Sequence, residues 1–86
     1  MKHAGPAALD ELEPILAEMR KLEGLRERKR GSFYRAGSGF LHFHEDPGGF
    51  FADVKLEPGG DYTRLRVSTM AERKRFLRLV RKAAVS

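Results

Sequence analysis

The fold is decided by residues 40–56, which read FLHFHEDPGGFFADVKL. At the centre of this stretch, the Asp-Pro-Gly-Gly of residues 46–49 is a turn signal, because proline fixes one backbone torsion and glycine accepts torsions that other residues avoid. On either side, apolar residues alternate with polar ones, as in a strand with one buried face. The stretch therefore predicts two antiparallel strands, residues 40–45 and 50–56, joined by a tight turn.

Two more strands flank this pair. Residues 32–36 end at a Gly-Ser-Gly turn, and residues 61–67 follow a Pro-Gly-Gly turn. Turns this short cannot carry the crossover that parallel strands need, so the four strands are predicted to form an antiparallel meander. Residues 25–31 are interpreted as a charged connector, and residues 1–5 as a flexible N-terminus.

A helix is predicted before the meander. From Pro6, apolar residues recur at steps of three and four, which is typical of one face of a helix. Pro14 predicts a kink, or a later start near Glu13, because proline removes one helical hydrogen bond. Gly24 is a candidate C-terminal cap for this helix.

The helix after the meander has a clear start, because Thr69 followed by Glu72 matches the capping box. Both helices have one apolar face, and we expect both to cover the same face of the sheet. The predicted fold is thus α+β, a two-layer sandwich in the order α-β-β-β-β-α with a four-stranded antiparallel meander. It is predicted to form a single domain over residues 6–86.

The composition limits the class of protein. The chain has 86 residues, enough for one domain, and no cysteine, which excludes disulfides, thiolate metal ligands and thiol nucleophiles. It has neither a membrane-spanning apolar run nor the pattern of a signal peptide, so we expect a cytoplasmic protein that does not act at a membrane. With 17 Lys and Arg against 12 Asp and Glu, its formal charge is +5, which favours anionic partners.

The turn lengths also predict the strand register. If Phe33 lies opposite Phe43, Phe43 opposite Ala52, and Ala52 opposite Leu65, all four strands put apolar side chains on one face. Arg35 is a misfit at the edge of that face. The other face is predicted to be open. It carries three cross-strand rows, namely Tyr34, His42, Asp53 and Arg64; then Ser32, His44, Phe51 and Arg66; and last Phe40, Lys55 and Tyr62.

This open face is the candidate ligand site, because local pattern does not explain its polar residues. His42 and His44 point the same way from one strand, and with Asp53 opposite they could hold iron, zinc or manganese. A simpler interpretation is an exposed cross-strand pair of Asp53 with Arg64, with His42 hydrogen-bonded to Asp53 or Tyr34. With a metal bound, His42, His44 and Asp53 could instead serve a metal-dependent enzyme, or His42 could act as a general base oriented by Asp53. No nucleophile accompanies them, so a non-enzymatic role without a cofactor is expected. The candidate ligand-binding residues are Tyr34, His42, His44, Asp53, Arg64 and Arg66.

Two further interpretations remain open. Aromatic rings among cations on an open sheet resemble the layout that stacks nucleic-acid bases, and the last helix has a basic face that could lie against phosphates. Exposed rings on a flat sheet also favour a homodimer through that face. We therefore expect a small binding domain whose ligand or partner meets the open sheet face. The residues for nucleic acid would be Lys55, Arg64, Arg66, Lys74, Arg78 and Arg81.

The segment of residues 40–53 resembles one found in short bacterial proteins of unknown function, and this likeness covers residues 24–70. The order of the elements also resembles frataxin-like and YjbR-like domains in topology. The YjbR-like resemblance implies DNA binding, although no motif matches residue by residue, and likeness of fold alone does not carry function. The frataxin-like resemblance implies iron binding on an acidic first helix, which here would use Asp10, Glu11, Glu13 and Glu18.

Overall fold

The computed structural model describes residues 1–85, which form two helices and six strands. The predicted α+β class is confirmed, with one helix before the meander in sequence and one after it. The predicted domain limit at residue 86 lies one residue outside the described part of the chain. The elements are β1 (Lys2–His3), α1 (Pro6–Arg20), β2 (Leu25–Lys29), β3 (Ser32–Arg35), β4 (Ser38–Asp46), β5 (Gly49–Val54), β6 (Thr63–Arg66) and α2 (Met70–Ala84).

One antiparallel sheet contains all six strands. Five of them follow one another in the order β2-β3-β4-β5-β6, and β1 pairs with β4 outside this path. Strand β4 is the longest, and one of its edges is shared by two neighbours: β3 pairs with residues 38–42, and β1 pairs with residues 44–45. The predicted meander is confirmed in its course, but it has five strands rather than four and gains a short sixth.

The prediction that residues 25–31 form a connector is wrong, because β2 lies there and pairs with β3. In β2, half-buried and exposed residues alternate at first, but almost all of them are charged. Leu25 and Glu27 are half-buried, whereas Arg26 and Arg28 are exposed. Glu27 can sit on the helix side because it accepts a hydrogen bond at 2.6 Å from an arginine of α1. A strand in which only one residue is apolar offers no hydrophobic period to detect.

The N-terminal residues 1–5 also differ from the prediction of a flexible segment. His3 lies opposite His44 in the ladder between β1 and β4. The backbone N–H of Gly5 then donates a hydrogen bond to the Glu45 carboxylate at 2.7 Å. A strand of two residues is too short for any pattern, so only pairing with β4 defines it.

The predicted register is confirmed from β4 to β6, where Phe43 lies opposite Ala52 and Ala52 opposite Leu65. It is wrong between β3 and β4, because Phe33 lies opposite Leu41 rather than Phe43. Two features cause this difference: the turn consists of Ala36 and Gly37 rather than residues 37–39, so Arg35 lies opposite Ser38, and a β-bulge further along shifts the pairing by one residue.

The bulge is centred on Phe40. Tyr34 lies opposite Gly39 and Phe33 opposite Leu41, so Phe40 has no counterpart on β3. The extra residue lets Phe40 and Leu41, although consecutive, both join the core, with 4% and 1% of their surfaces exposed. The expectation that Phe40 lies on the open face is therefore wrong.

Helix α1 begins at Pro6, as predicted, and continues through Pro14 to Arg20. Its C-terminal cap is Lys21 rather than Gly24. Gly24 instead has a φ of +85° and turns the chain into β2, a torsion that glycine adopts without strain.

At the start of α2 the capping box is confirmed. The Thr69 hydroxyl accepts the Glu72 N–H, and the Glu72 carboxylate accepts the Thr69 N–H. At the other end of α2, the Arg35 guanidinium donates to the Ala83 carbonyl at 2.7 Å. The arginine that looked misplaced on the apolar face thus satisfies a carbonyl in the last turn of the helix.

The core lies between the two helices and one face of the sheet, where the Phe43 and Phe76 rings pack 5.9 Å apart. Because strand residues alternate, His42 and His44 point away from this core. We call the face opposite the helices the open face. Within residues 1–85, no helix is long and apolar enough to cross a membrane. The fully buried large side chains are Phe33, Phe76, Leu12, Leu16, Met19, Leu41, Val54, Val67 and Val80.

Candidate functional site

Four polar side chains meet at the centre of the open face, and we call them the histidine cluster: His3, His42, His44 and Asp53. His42 and His44 lie on the same side of β4. Across the strand pairs, His3 of β1 lies opposite His44, and Asp53 of β5 lies opposite His42. The strand register therefore brings together residues from three strands.

The histidine cluster is tight. Its imidazole centroids are 4.6 Å apart for His3 and His44, 4.8 Å for His42 and His44, and 5.5 Å for His3 and His42. Asp53 Oδ2 lies 3.2 Å from His44 Nε2 and 3.8 Å from His42 Nε2. One carboxylate oxygen thus faces two imidazole nitrogens.

Of His42 and His44, His44 is the more enclosed, with 12% of its side chain exposed. Both of its ring nitrogens are buried, and neither makes a hydrogen bond within residues 1–85. The Asp53 Oδ2 atom lies 3.2 Å from His44 Nε2, but not at the angle of a hydrogen bond, and the Lys2 backbone lies close to the ring. Buried polar atoms nearly always have a partner, so this ring is suited to one from outside the chain.

Asp53 is held in place by Arg64. Its Oδ1 accepts a hydrogen bond from Arg64 Nε, and its Oδ2 accepts one from Nη2, each at 2.8 Å. This paired contact with the guanidinium lowers the pKa of Asp53, against the opposing effect of burial. The predicted pair of Asp53 and Arg64 is therefore present, and it fixes an ionised carboxylate with Oδ2 toward the histidines.

The histidines are kept uncharged. Burial lowers the pKa of His42, and the neighbouring His44 imidazole lowers it further. Burial also lowers the pKa of His44, and in both cases the Asp53 carboxylate acts in the opposite direction. Both rings are therefore mainly neutral near pH 7, the form in which imidazole binds a metal.

His3 was missed by the sequence analysis, which placed it in a flexible segment. It is exposed and covers the His44 ring from the solvent side. The one available signal is weak: His3 precedes the Gly5-Pro6 break before α1, so it could have been assigned to a separate extended segment. Its place beside His44 follows only from the pairing of β1 with β4.

Two predicted ligand residues lie outside the histidine cluster. Tyr34 lies opposite Gly39 rather than His42, because the turn of Ala36 and Gly37 is tighter than expected. Arg66 donates to the Gly48 carbonyl at 2.7 Å, which ties it to the turn between β4 and β5. The group predicted as one site is thus a compact centre of His42, His44, Asp53 and Arg64, with two flanking residues.

The residues predicted for nucleic acid do not form one surface. Lys74, Arg78 and Arg81 are exposed on α2, in the helix layer. Lys55 and Arg64 belong to the opposite side of the sheet. Arg81 also pairs with a glutamate of α1 at 3.0 Å, which uses part of that helix face. The basic residues of α2 and those of the open face therefore cannot contact one short ligand at the same time.

The homodimer through the open face stays a prediction. It relied on exposed rings, and one of them, Phe40, belongs to the core instead. Among the large rings, Tyr62 remains clearly exposed, at 42%. The apolar surface that would drive pairing at this face is thus smaller than the sequence indicated.

Comparisons of this chain with protein-family models, curated proteins and solved structures found no match. The resemblances described above therefore stay predictions. Fold and site together define an α+β domain whose open sheet face carries a cluster of imidazoles and one carboxylate. Its function has to be inferred from that chemistry.

Proposed function

We propose that this chain is a small non-enzymatic binding domain whose open face holds a divalent transition-metal ion at His42, His44 and Asp53. The observation that carries the proposal is the enclosed His44 ring, whose Nε2 makes no hydrogen bond of good geometry within residues 1–85 and lies 3.2 Å from the fixed Asp53 carboxylate. An unpaired buried nitrogen is costly unless a ligand satisfies it. A metal ion would satisfy it.

The spacing of the ligand atoms supports this proposal. Two ligands that bind zinc at about 2.0–2.1 Å in tetrahedral geometry lie about 3.4 Å from each other. The two Asp53 Oδ2 distances, 3.2 Å to His44 and 3.8 Å to His42, bracket that value. Ligand atoms of all three residues lie within 4.8 Å of one another, so small side-chain rotations would complete the site.

Arg64 has a supporting part in this proposal. A carboxylate that binds a metal is commonly held by a hydrogen bond on its other oxygen. Arg64 Nε donates to Asp53 Oδ1, the oxygen that is not shared with the histidines. The contact of Nη2 with Oδ2 would weaken on metal binding, so Arg64 orients the ligand and also competes for it.

His3 is the remaining imidazole of the histidine cluster, and it would have to rotate to supply a fourth ligand, because its ring lies 30° from parallel to that of His44. It faces His44 across the strand pair, and its centroid is 4.6 Å from that ring. Three imidazoles and a carboxylate, without thiolates, suit zinc, nickel, cobalt or copper rather than calcium or magnesium, which prefer oxygen ligands. We infer zinc-class chemistry, with copper binding more tightly in a purified system because of the general affinity order.

Metal binding can be tested by titrating the metal-free protein with Zn²⁺ in a calorimeter and with Co²⁺ in a spectrophotometer. One bound ion and the intense visible bands of tetrahedral Co²⁺ are expected. His44→Ala and Asp53→Asn should each weaken binding by more than the roughly 10- to 100-fold typical of an outer contact. Arg64→Gln should weaken Zn²⁺ binding by about 10- to 100-fold.

The matched control is Glu57→Gln, which neutralises an exposed carboxylate in the turn after β5. It should leave Zn²⁺ affinity unchanged. The proposal fails if wild-type protein and His44→Ala take up Zn²⁺ equally, or if Glu57→Gln weakens binding as much as Asp53→Asn.

A further inference from the structure

A second group of residues on the open face borders one glycine of β4. Arg26 lies opposite Tyr34, and Tyr34 lies opposite Gly39. From the other side, the Tyr62 hydroxyl lies 2.8 Å from where a Cβ of Gly39 would stand. Two tyrosines thus flank a stretch of backbone with no side chain. We call Arg26, Arg28, Tyr34, Lys55 and Tyr62 the tyrosine row.

Each tyrosine in this row has a cation over its ring. The Arg28 guanidinium carbon lies 4.9 Å from the Tyr34 centroid, and Lys55 Nζ lies 5.1 Å from the Tyr62 centroid. Arg26, Arg28 and Tyr34 also line a polar pocket at the end of the row. Rings beside cations offer both a stacking surface and a charge for the same ligand.

The tyrosine row has three cations and no carboxylate among its members. Glu27 lies between Arg26 and Arg28 in sequence, but it points to the helix side and pairs with Arg20 at 2.6 Å. Its charge is therefore used on the far side of the sheet. Asp61 just before Tyr62 and Glu57 two residues after Lys55 are exposed acids near the row in sequence, and neither is a member of it.

We propose that the tyrosine row binds single-stranded nucleic acid, with bases stacked on Tyr34 and Tyr62 and phosphates against Arg26, Arg28 and Lys55. The charge complementarity selects a polyanion, and the rings select one with exposed bases. A duplex hides its bases, and a lipid surface offers no ring to stack, so both fit this row less well. The row contacts the histidine cluster where Tyr62 meets His42 edge-on at 5.0 Å, but it needs no metal.

The test is fluorescence anisotropy in EDTA with labelled oligo-dT and oligo-U of about 12 nucleotides. Affinity should fall steeply between about 50 and about 200 mM salt. The double variant Arg26→Gln with Arg28→Gln should weaken binding about 10-fold or more and reduce the salt slope by about 1.4. Tyr34→Leu should weaken it about 5-fold or more, provided that its melting curve matches the wild type.

The matched control removes the same charge from the helix layer, by Lys74→Gln with Arg78→Gln, and should change affinity less than about 2-fold. Equal losses from the two double variants would overturn the proposal, because binding would then follow net charge alone. An abasic strand of the same length that binds as tightly as oligo-dT would also overturn it, since stacking would contribute nothing. Because EDTA is present throughout, failure here is separate from failure of metal binding.

Discussion

At the scale of single residues, His44 favours ligand binding but lowers the stability of the metal-free fold. Its ring is enclosed, yet both nitrogens lack a hydrogen bond within residues 1–85. Such a group destabilises the metal-free fold, because its contacts with water are lost and not replaced. If the proposed metal binds at this ring, it offsets that cost.

Replacing this ring tests that opposition. His44→Leu should raise the unfolding free energy of the metal-free protein by about 1 kcal/mol, because an apolar side chain of similar size leaves no polar atom unpaired. Urea unfolding in EDTA is the measurement, and the same variant should lose Zn²⁺ affinity. Destabilisation by His44→Leu in EDTA would mean that water or another group already satisfies the ring.

Phe40 tests the bulge in β4. With 4% of its surface exposed, it is a core residue, so Phe40→Ala should cost about 3–5 kcal/mol of unfolding free energy. Phe51, which is half-buried on the open face, is the matched control, and Phe51→Ala should cost at most about half as much. Equal costs in urea unfolding would contradict the bulged register and favour the regular register expected from the turns.

At the scale of elements, β2 depends on charges rather than on apolar area. Arg20 of α1 contacts Glu13 at 2.5 Å and Glu27 at 2.6 Å. Arg30, beyond the end of β2, contacts Glu13 and Asp10, each at 2.8 Å. An edge strand with little apolar area is thus linked to the helix by a network of ion pairs, which is worth more than isolated surface pairs.

Glu27 makes this link dependent on pH. The Arg20 contact is the main cause that lowers the pKa of Glu27 below 4.5, against burial, and the Gly31 N–H lowers it further. The contribution to stability is therefore complete above the unfolded-state pKa and is lost as the pH falls through the folded-state pKa. Glu27→Gln should cost about 1 kcal/mol at neutral pH and make stability fall less steeply below pH 4.5.

Urea unfolding at a series of pH values measures both effects. Glu23→Gln is a suitable control, because Glu23 is exposed just before β2. Its acid dependence should match that of the wild type. An acid limb of the same steepness in Glu27→Gln and wild type would exclude Glu27 as the titrating link.

At the scale of the whole molecule, the two faces of the sheet differ in what they carry. The helix side holds the core, in which both helices and the sheet take part. The open face holds the histidine cluster and the tyrosine row, which border each other at Tyr62. Ligands on the open face can therefore change the stability of the domain without competing with its core packing.

Metal binding should therefore stabilise the whole fold. The three histidines and Asp53 come together only through pairing of β1, β4 and β5, so Zn²⁺ should bind the folded state far better than the unfolded one. At a hundredfold excess over its dissociation constant, Zn²⁺ should add about 2.7 kcal/mol and raise the Tm by about 10 °C or more. Calorimetric melting with Zn²⁺ and with EDTA measures this shift, and an unchanged Tm at saturation would contradict it.

The sequence by itself determined those features of this protein that depend only on residues close together in the chain. Turn residues and strand alternation predicted the course from β3 to β6, and the capping box of Thr69 and Glu72 predicted the start of α2. These features succeed because backbone torsions and hydrogen bonds between near neighbours define them. The pairing of His42 with Asp53, and of Asp53 with Arg64, followed from the same register.

Only the tertiary structure decided the rest. The bulge at Phe40, the charged strand β2 and the two-residue strand β1 depend on what lies beside them, so no period in the sequence marks them. His3 joins the histidine cluster through the long-range pairing of β1 with β4, and Arg26 joins the tyrosine row because the charged strand β2 pairs with β3. A site built by such pairing belongs to the whole fold, and its members cannot be recognised from their sequence neighbours.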